Sequence, residues 1–146
     1  MAIDEALVEV SNLHVTFRRG GRSVRALRGV DLRIGPGEII GLVGESGSGK
    51  SVLGLSLLGL LPTEPPPSVE GRAQVCGLDM VSASVDESRR LRRRHLGAIF
   101  QDPMTSLNPT MRVGRQVAEV AGTESEAIRL LDAVGVPEPR RRLRSM

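Results

Sequence analysis

The stretch Gly44–Ser51 reads GESGSGKS, and it directly follows the apolar run IIGLV at residues 39–43. It fits the pattern G-x-x-x-x-G-K-[ST] at every position. Glycines at three of its positions let the backbone turn so that successive N–H groups point into one concavity, and a helix starting there adds the positive end of its dipole. The stretch therefore predicts a phosphate-binding loop between a strand and a helix, and it decides the fold class.

Each part of this loop has an expected place around a nucleotide. Lys50 would reach the β- and γ-phosphates, and the Ser51 hydroxyl would hold Mg²⁺. An accidental glycine turn is the alternative, but the apolar run before the loop and the helical pattern after it disfavour that interpretation. The loop therefore predicts ATP and Mg²⁺ as ligands. The other residues expected to bind the nucleotide are Gly44, Glu45, Ser46, Gly47, Ser48 and Gly49.

Lysine and aromatic residues are both rare in the chain. Of its 20 basic residues, Lys50 is the one lysine, and the rest are arginines. Keeping a lysine inside the loop indicates a role for a compact point charge that a planar guanidinium cannot fill. The two aromatic residues are Phe17 and Phe100, too few for the stacking platforms that bind single-stranded nucleic acid. We therefore expect no direct nucleic-acid partner.

The order of predicted elements is typical of an α/β fold with a P-loop core. Residues 7–17 and 24–34 are predicted to pair as an antiparallel hairpin. The short apolar runs Ile39–Val43 and Leu96–Phe100 are typical of buried parallel strands. A further strand with a turn at Gly77 is predicted over residues 69–78, and helices are predicted over residues 49–61, 86–95, 113–121 and 124–134.

This order divides the chain into three parts of one partial nucleotide-binding domain. Residues 1–38 form the antiparallel β region, residues 39–101 the P-loop core, and residues 102–146 the start of a helical subdomain. No apolar run reaches the roughly 20 residues that a membrane-spanning helix needs. The N-terminus, MAIDEALVEV, lacks the positive charge of a signal peptide, so we expect the chain to stay in the cytosol.

Two residues outside the loop are further candidates for the site. Gln101 follows the predicted strand 96–100, at the edge of the sheet where ligands bind in open α/β folds. It can ligate Mg²⁺ or position a water molecule there, or it can be a loop glutamine bonded to backbone. Phe17 precedes the flexible turn at Gly20–Gly21 and can stack on adenine, or it can be a strand residue of the core.

The remaining residues with reactive or charged side chains have simpler interpretations. Cys76, the single cysteine, excludes an internal disulfide and is expected to be a small buried apolar residue. His14 and His95 have no partner at the spacing of metal ligands and are expected to be structural. The arginine-rich run 89–94 is interpreted as the solvated face of a helix, with nearby acids balancing its charge.

Three stretches resemble the ATP-binding subunits of ABC transporters, in the branch that imports oligopeptides, dipeptides and nickel. They are LRGVDLRIGPGEIIGLVGESGSGKS (27–51), IFQDPMTSLNPTMRVGRQVAE (99–119) and LLDAVGVPEPRRRL (130–143). The resemblance implies that Gly44–Ser51 is the Walker A loop and that Gln101 is the Q-loop glutamine, which touches Mg²⁺ and senses the membrane partner. It also implies that Phe17 is the aromatic residue that stacks on adenine.

The same resemblance implies the surroundings of the chain. The partners would be transmembrane permease subunits and a second ATP-binding subunit, at the cytoplasmic side of the cell membrane. The chain lacks the LSGGQ-type signature, the Walker B Asp-Glu pair and the switch histidine of that family, so the resemblance covers its N-terminal portion. We therefore expect a truncated chain and leave ATP hydrolysis by the chain alone open. The alternatives are a non-catalytic remnant that binds nucleotide or a partner subunit, and a soluble P-loop ATPase acting on nucleic acid.

Overall fold

The computed structural model describes residues 6–101 and 107–144, which fall into two compact units, Met1–Gly97 and Ala98–Met146. None of the helices in these ranges is long and apolar enough to cross a membrane. The first unit contains β1 (Val8–Arg19), β2 (Arg22–Ile34), α1 (Lys50–Leu58), β3 (Ser68–Val75), β4 (Leu78–Asp79) and α2 (Val85–His95). The second unit contains α3 (Val113–Ala121), α4 (Glu124–Ala133) and α5 (Pro139–Arg142).

The strands of the first unit form one antiparallel sheet in the order β2-β1-β3-β4. β1 and β2 pair along their length, and the pair Arg19 and Arg22 closes a two-residue turn. The turn residues, Gly20 and Gly21, have φ values of 56° and 76°. A tight hairpin turn that matches the twist of its strands needs positive φ at both positions, which glycine adopts at little cost. The predicted hairpin is confirmed.

One apolar cluster holds α1 on this sheet. Alternate residues of the strands point to the same face, so the period of two along β1 and its neighbours gathers their apolar side chains there. Leu53 of α1, 5% exposed, packs into that face. Burying a leucine side chain contributes about 1.5–3 kcal/mol. The buried members from the sheet are Val10, Leu13, Val15, Leu27 and Ala73.

The prediction of two buried parallel strands is wrong for the residues that the structure describes. Ile39–Val43 forms no strand, and the side chains of Ile39 and Val43 are 100% and 90% exposed. Leu96–Phe100 forms no strand either, and Ile99 is fully exposed. A buried parallel strand needs hydrogen-bonding neighbours beside it and apolar cover on both faces. The described residues supply these to neither run, so apolar composition alone does not make them strands.

The predicted burial of Cys76 is also wrong. Cys76 is exposed and, with Gly77, forms the turn between β3 and β4. Its φ is 46° and that of Gly77 is 82°, so both residues occupy the left-handed region that a two-residue hairpin requires. The cysteine is placed by the turn and not by its apolar character. The turn predicted at Gly77 is confirmed, with β3 before it and β4 after it.

Helix α2 confirms the charged helix predicted from residue 86 and begins with a capping box. The Ser84 hydroxyl accepts a hydrogen bond from the Glu87 backbone N–H at 3.3 Å, and the Glu87 carboxylate accepts one from the Ser84 N–H at 2.9 Å. These reciprocal bonds satisfy two backbone donors that the first turn of a helix leaves unpaired. The carboxylate also accepts the Ser84 hydroxyl at 2.6 Å. The pKa of Glu87 is lowered because these bonds from Ser84 favour the charged form, with a smaller contribution from the Arg90 charge.

We expect this charge to make the stability of the first unit depend on pH. A carboxyl whose pKa is lower in the folded state adds stability that is present above its unfolded pKa and is lost as the pH falls through the folded value. Glu87→Gln should therefore lower the midpoint of thermal unfolding near neutral pH, and the difference from wild type should shrink as the pH falls below about 4. Scanning calorimetry from about pH 7 to about pH 3 measures this. An equal gap at both ends of the range would contradict the prediction.

The second unit confirms the two helices predicted after residue 112 and adds a short one, α5, that the sequence pattern did not predict. The N–H of Gly114 donates to the carbonyl of Leu143 at 3.0 Å, and a side chain at Gly114 would overlap that carbonyl. The side chain of Gln116 accepts the Asn108 N–H at 2.7 Å and donates to the carbonyl of Met111 at 2.9 Å. α5 is too short for a periodic pattern to reveal it.

Candidate functional site

The glycine loop at 44–49 leads directly into the first turn of α1. Gly47 and Gly49 have φ values of 80° and 94°, so the loop uses the left-handed backbone that its glycines permit. The Ser48 N–H donates to the Glu45 carbonyl at 3.2 Å, and the Leu53 N–H donates to the Gly49 carbonyl at 2.9 Å. Within the described residues, no side chain caps the start of α1. The first turn of α1 can therefore offer its backbone amides, and the positive end of its dipole, to an anion.

The side chain of Lys50 folds back over this loop. Its ammonium group donates to the carbonyls of Gly44 at 2.7 Å and Glu45 at 2.6 Å, and to the Ser48 hydroxyl at 3.2 Å. The loop thus curls around one positive charge, which lies at the same end of α1 as the amides. Ser51 follows in the first turn of the helix, with its side chain exposed. The structure brings Gly44, Glu45, Ser48 and Lys50 together at the start of α1.

Gly49 fixes the loop to the sheet. A methyl group at this position would lie 2.6 Å from the carbonyl oxygen of Ala26 and 2.8 Å from Cδ2 of Leu27. Both residues belong to β2, and Leu27 is part of the buried cluster. The start of α1 can approach the strand this closely because Gly49 has no side chain, so β2 limits how far the loop can move towards the sheet.

Phe17 lies on β1, opposite Val24, and is half-buried. It packs against the buried cluster that holds α1, so the core interpretation of this residue is correct. The residue as a whole stays partly open to solvent. Stacking on adenine stays a prediction for this residue.

Gln101 is exposed and lies in the second unit, whereas Lys50 and Ser51 lie in the first. Its proposed cooperation with Ser51 around Mg²⁺ stays a prediction. The stretch that follows, including Asp102, lies outside the described residues. Among the residues described, no group of three or more His, Cys, Asp or Glu side chains could hold a metal ion.

The interpretation of residues 89–94 as a solvated face is wrong for Arg92. Arg92 is half-buried, and its Nη1 donates to the carbonyl of Leu58 at 2.9 Å and to that of Gly59 at 3.3 Å. These carbonyls lie at the end of α1, the helix that begins at the glycine loop. No local pattern could reveal the contact, because more than 30 residues separate its partners. The exposed members of the run are Arg89, Arg90, Arg93 and Arg94.

Residues 27–146, which include the whole glycine loop, match the protein family described as ABC transporter. The chain belongs to the ABC transporter family. Among curated relatives, it is 41% identical to the oligopeptide transport ATP-binding protein OppD of Bacillus subtilis, over 94% of this chain and 41% of the relative. The OppD protein of Salmonella typhimurium is 42% identical over 94% of this chain and 43% of its own length. The dipeptide transport ATP-binding protein DppD of Bacillus subtilis is 40% identical over 96% and 44%.

These comparisons confirm the family predicted from the sequence, and the chain spans less than half the length of these curated relatives. A solved structure gives the fold class. It is a dimeric post-hydrolysis state of the ATP-binding cassette MJ0796 bound to ADP and Pi, with a TM-score of 0.64 and 26% identity. The match covers 93% of this chain and 52% of that one. The predicted α/β fold is thereby confirmed for this ABC transporter family member, although the two parallel strands are not formed.

Proposed function

We propose that this chain supplies the ATP-binding part of a subunit that powers the import of oligopeptides or dipeptides. The observation that carries the proposal is the loop at 44–49, which wraps around the Lys50 ammonium group at the start of α1. That arrangement offers backbone amides, a helix dipole and a cation to one polyphosphate. The curated relatives described above are named as ATP-binding proteins of oligopeptide and dipeptide transport, which supports the class of solute.

Different residues of the chain would bind different parts of the nucleotide. The amides of the glycine loop and Lys50 would hold the β- and γ-phosphates, and the Ser51 hydroxyl would ligate Mg²⁺. Phe17, which is partly exposed, would stack on the adenine ring, and Gln101 would complete the ligands of Mg²⁺. Bound Mg²⁺ neutralises charge on the phosphates and so lowers the barrier to their transfer.

The proposed partners are transmembrane permease subunits and a second ATP-binding subunit, at the cytoplasmic face of the membrane. Gln101 would sense the permease, because one residue that touches Mg²⁺ and lies in an exposed segment can report nucleotide to a neighbouring protein. The likeness to a cassette whose structure is dimeric supports a second nucleotide-binding subunit as partner.

Calorimetric titration of the purified chain tests the nucleotide site. The ligands are MgATP and magnesium tripolyphosphate, which shares the phosphates of ATP but has no base or ribose. We expect the chain to bind both, because the loop contacts phosphates. A chain that binds neither ligand at about 1 mM, the weak end of useful affinities, would overturn the proposal.

The same pair of ligands tests Phe17. Phe17→Leu keeps an apolar side chain for the core and removes the aromatic ring, so we expect about fivefold or greater loss of affinity for MgATP. Affinity for magnesium tripolyphosphate should stay unchanged, because it has no base to stack. Val24→Leu, at the paired position on β2, is the matched control and should leave both affinities unchanged. Equal weakening of both ligands by Phe17→Leu would show that the residue supports the loop and does not stack on adenine.

A further inference from the structure

We infer that Arg92 is a positioning residue for the nucleotide site. It hydrogen-bonds to the C-terminal end of α1 and thereby helps to set the position of the phosphate loop at the N-terminal end of the same helix. The inference rests on the proposed function of that loop. Arg92 touches neither the loop nor, in this proposal, the nucleotide. Its influence passes through the helix that joins the two.

The end of α1 needs an outside partner, and Arg92 provides it. The last carbonyls of a helix accept no hydrogen bond from within the helix, and the negative end of the helix dipole lies at the same place. The last turn of α1 contains no basic residue of its own. Nη1 of Arg92 donates to the carbonyls of Leu58 and Gly59 at 2.9 Å and 3.3 Å. Charge-assisted bonds of this kind are about twice as strong as neutral ones.

Gly59 makes the contact between α1 and α2 possible. It ends α1 in the left-handed conformation, with φ 60° and ψ 40°. A methyl group there would lie 2.8 Å from Cε of Met80 and 3.4 Å from both Nη1 of Arg92 and Oγ of Ser88. Ser88 is buried, with 6% of its surface exposed. One face of α2 therefore lies directly against the end of α1, and Arg92 is the side chain of that face that bonds to it.

The geometry of α1 lets a change at one end reach the other. The helix has nine residues and is therefore about 14 Å long. Leu53, close to its middle, is buried, and Val52 and Leu57 are partly buried against the same apolar cluster. The hydroxyl of buried Ser56 donates within the helix to Val52. A rigid helix of this length that shifts at its last turn also shifts at its first turn, where Gly49 lies against β2. Displacement of a binding group by about 1 Å is enough to weaken a site strongly.

Three substitutions separate this role from simple support of the fold. Arg92→Met keeps the aliphatic stem and removes the donors, so we expect about three- to tenfold weaker binding of both MgATP and magnesium tripolyphosphate. Arg92→Lys restores a donor and a charge and should recover most of the affinity. Arg93→Met, an exposed neighbour on α2, is the matched control and should bind as wild type does. Calorimetry well below the unfolding temperature measures all three, with circular dichroism to confirm folding.

A folded Arg92→Met protein that binds both ligands as tightly as wild type would overturn the inference, even if its unfolding temperature fell. Binding of neither ligand by wild type would overturn the proposed function and this inference together. Binding that does not depend on Arg92 would overturn the inference alone.

Hydrogen exchange on the wild-type chain gives a second test that needs no substitution. Coupling between two sites is reciprocal. If the hydrogen bonds from Arg92 to the end of α1 strengthen nucleotide binding, bound nucleotide must strengthen those hydrogen bonds. The reporting amides are those of Gly59, which donates to Ser56 at 3.1 Å, and Leu60, which donates to Leu55 at 2.9 Å. Saturating MgATP should slow their exchange about three- to tenfold, matching the change in affinity. Unchanged exchange at both amides in the presence of bound MgATP would overturn the inference.

Discussion

Lys50→Ala is expected to weaken MgATP binding by about 10- to 150-fold. The substitution removes the cation at the centre of the loop, and a hydrogen bond to a charged group contributes about 1.5–3 kcal/mol. The loop itself should persist, because its glycines and the anchoring of Gly49 on β2 do not depend on the ammonium group. Calorimetric titration of wild type and variant with MgATP measures the change.

Lys50→Arg tests whether the site needs a lysine or only a positive charge. All other basic residues of the chain that are not histidine are arginines. The charge is kept, but a planar guanidinium is too broad to take the three contacts that the ammonium makes with Gly44, Glu45 and Ser48. We expect it to recover only part of the lost affinity. Arg22→Ala at the exposed hairpin turn removes one positive charge elsewhere and should bind as wild type does. Equal affinities for wild type and Lys50→Ala would disprove the assignment of the loop.

Gly49→Ala is expected to destabilise the first unit by about 2–5 kcal/mol. A φ of 94° is strained for any residue with a side chain, which costs about 1–2 kcal/mol. The new methyl group would also lie 2.6 Å from the carbonyl oxygen of Ala26, and relieving such overlap costs about 1–3 kcal/mol. Urea unfolding followed by circular dichroism measures the free energy.

Gly47→Ala separates these two contributions. Gly47 has a φ of 80°, but a methyl group there would meet nothing within 4 Å. We expect this variant to lose only the backbone cost of about 1–2 kcal/mol. If both variants lost the same free energy of unfolding, the close contact between Gly49 and β2 would not be what anchors the loop.

Elements that depend on neighbours in sequence were predictable. The glycine loop and α1 follow from one continuous motif, and the hairpin follows from alternating strands around Gly20 and Gly21. The charged helix α2 follows from its own composition, and its capping box lies within four residues. In each case the information needed is local, so a single stretch of sequence is sufficient.

Features that depend on distant partners were not predictable in this way. The apolar runs Ile39–Val43 and Leu96–Phe100 have the composition of buried strands, but forming a strand depends on neighbours that composition does not specify. Arg92 sits in a run of similar arginines, and only the three-dimensional structure distinguishes it. The exposure of Cys76 was not predictable from its residue type either, because its place in a turn prevents the burial that is usual for a cysteine.

The strand order has a consequence for how the protein folds. β1 pairs with β2 across two turn residues, but it pairs with β3 only after the long connection that contains the phosphate loop and α1. Hairpins form within about 1–10 μs, whereas closing a long connection must first overcome a larger loss of chain entropy. We therefore expect the hairpin to form before the connection closes. The glycine loop lies within that connection, so we expect it to take its final position when β3 docks against β1.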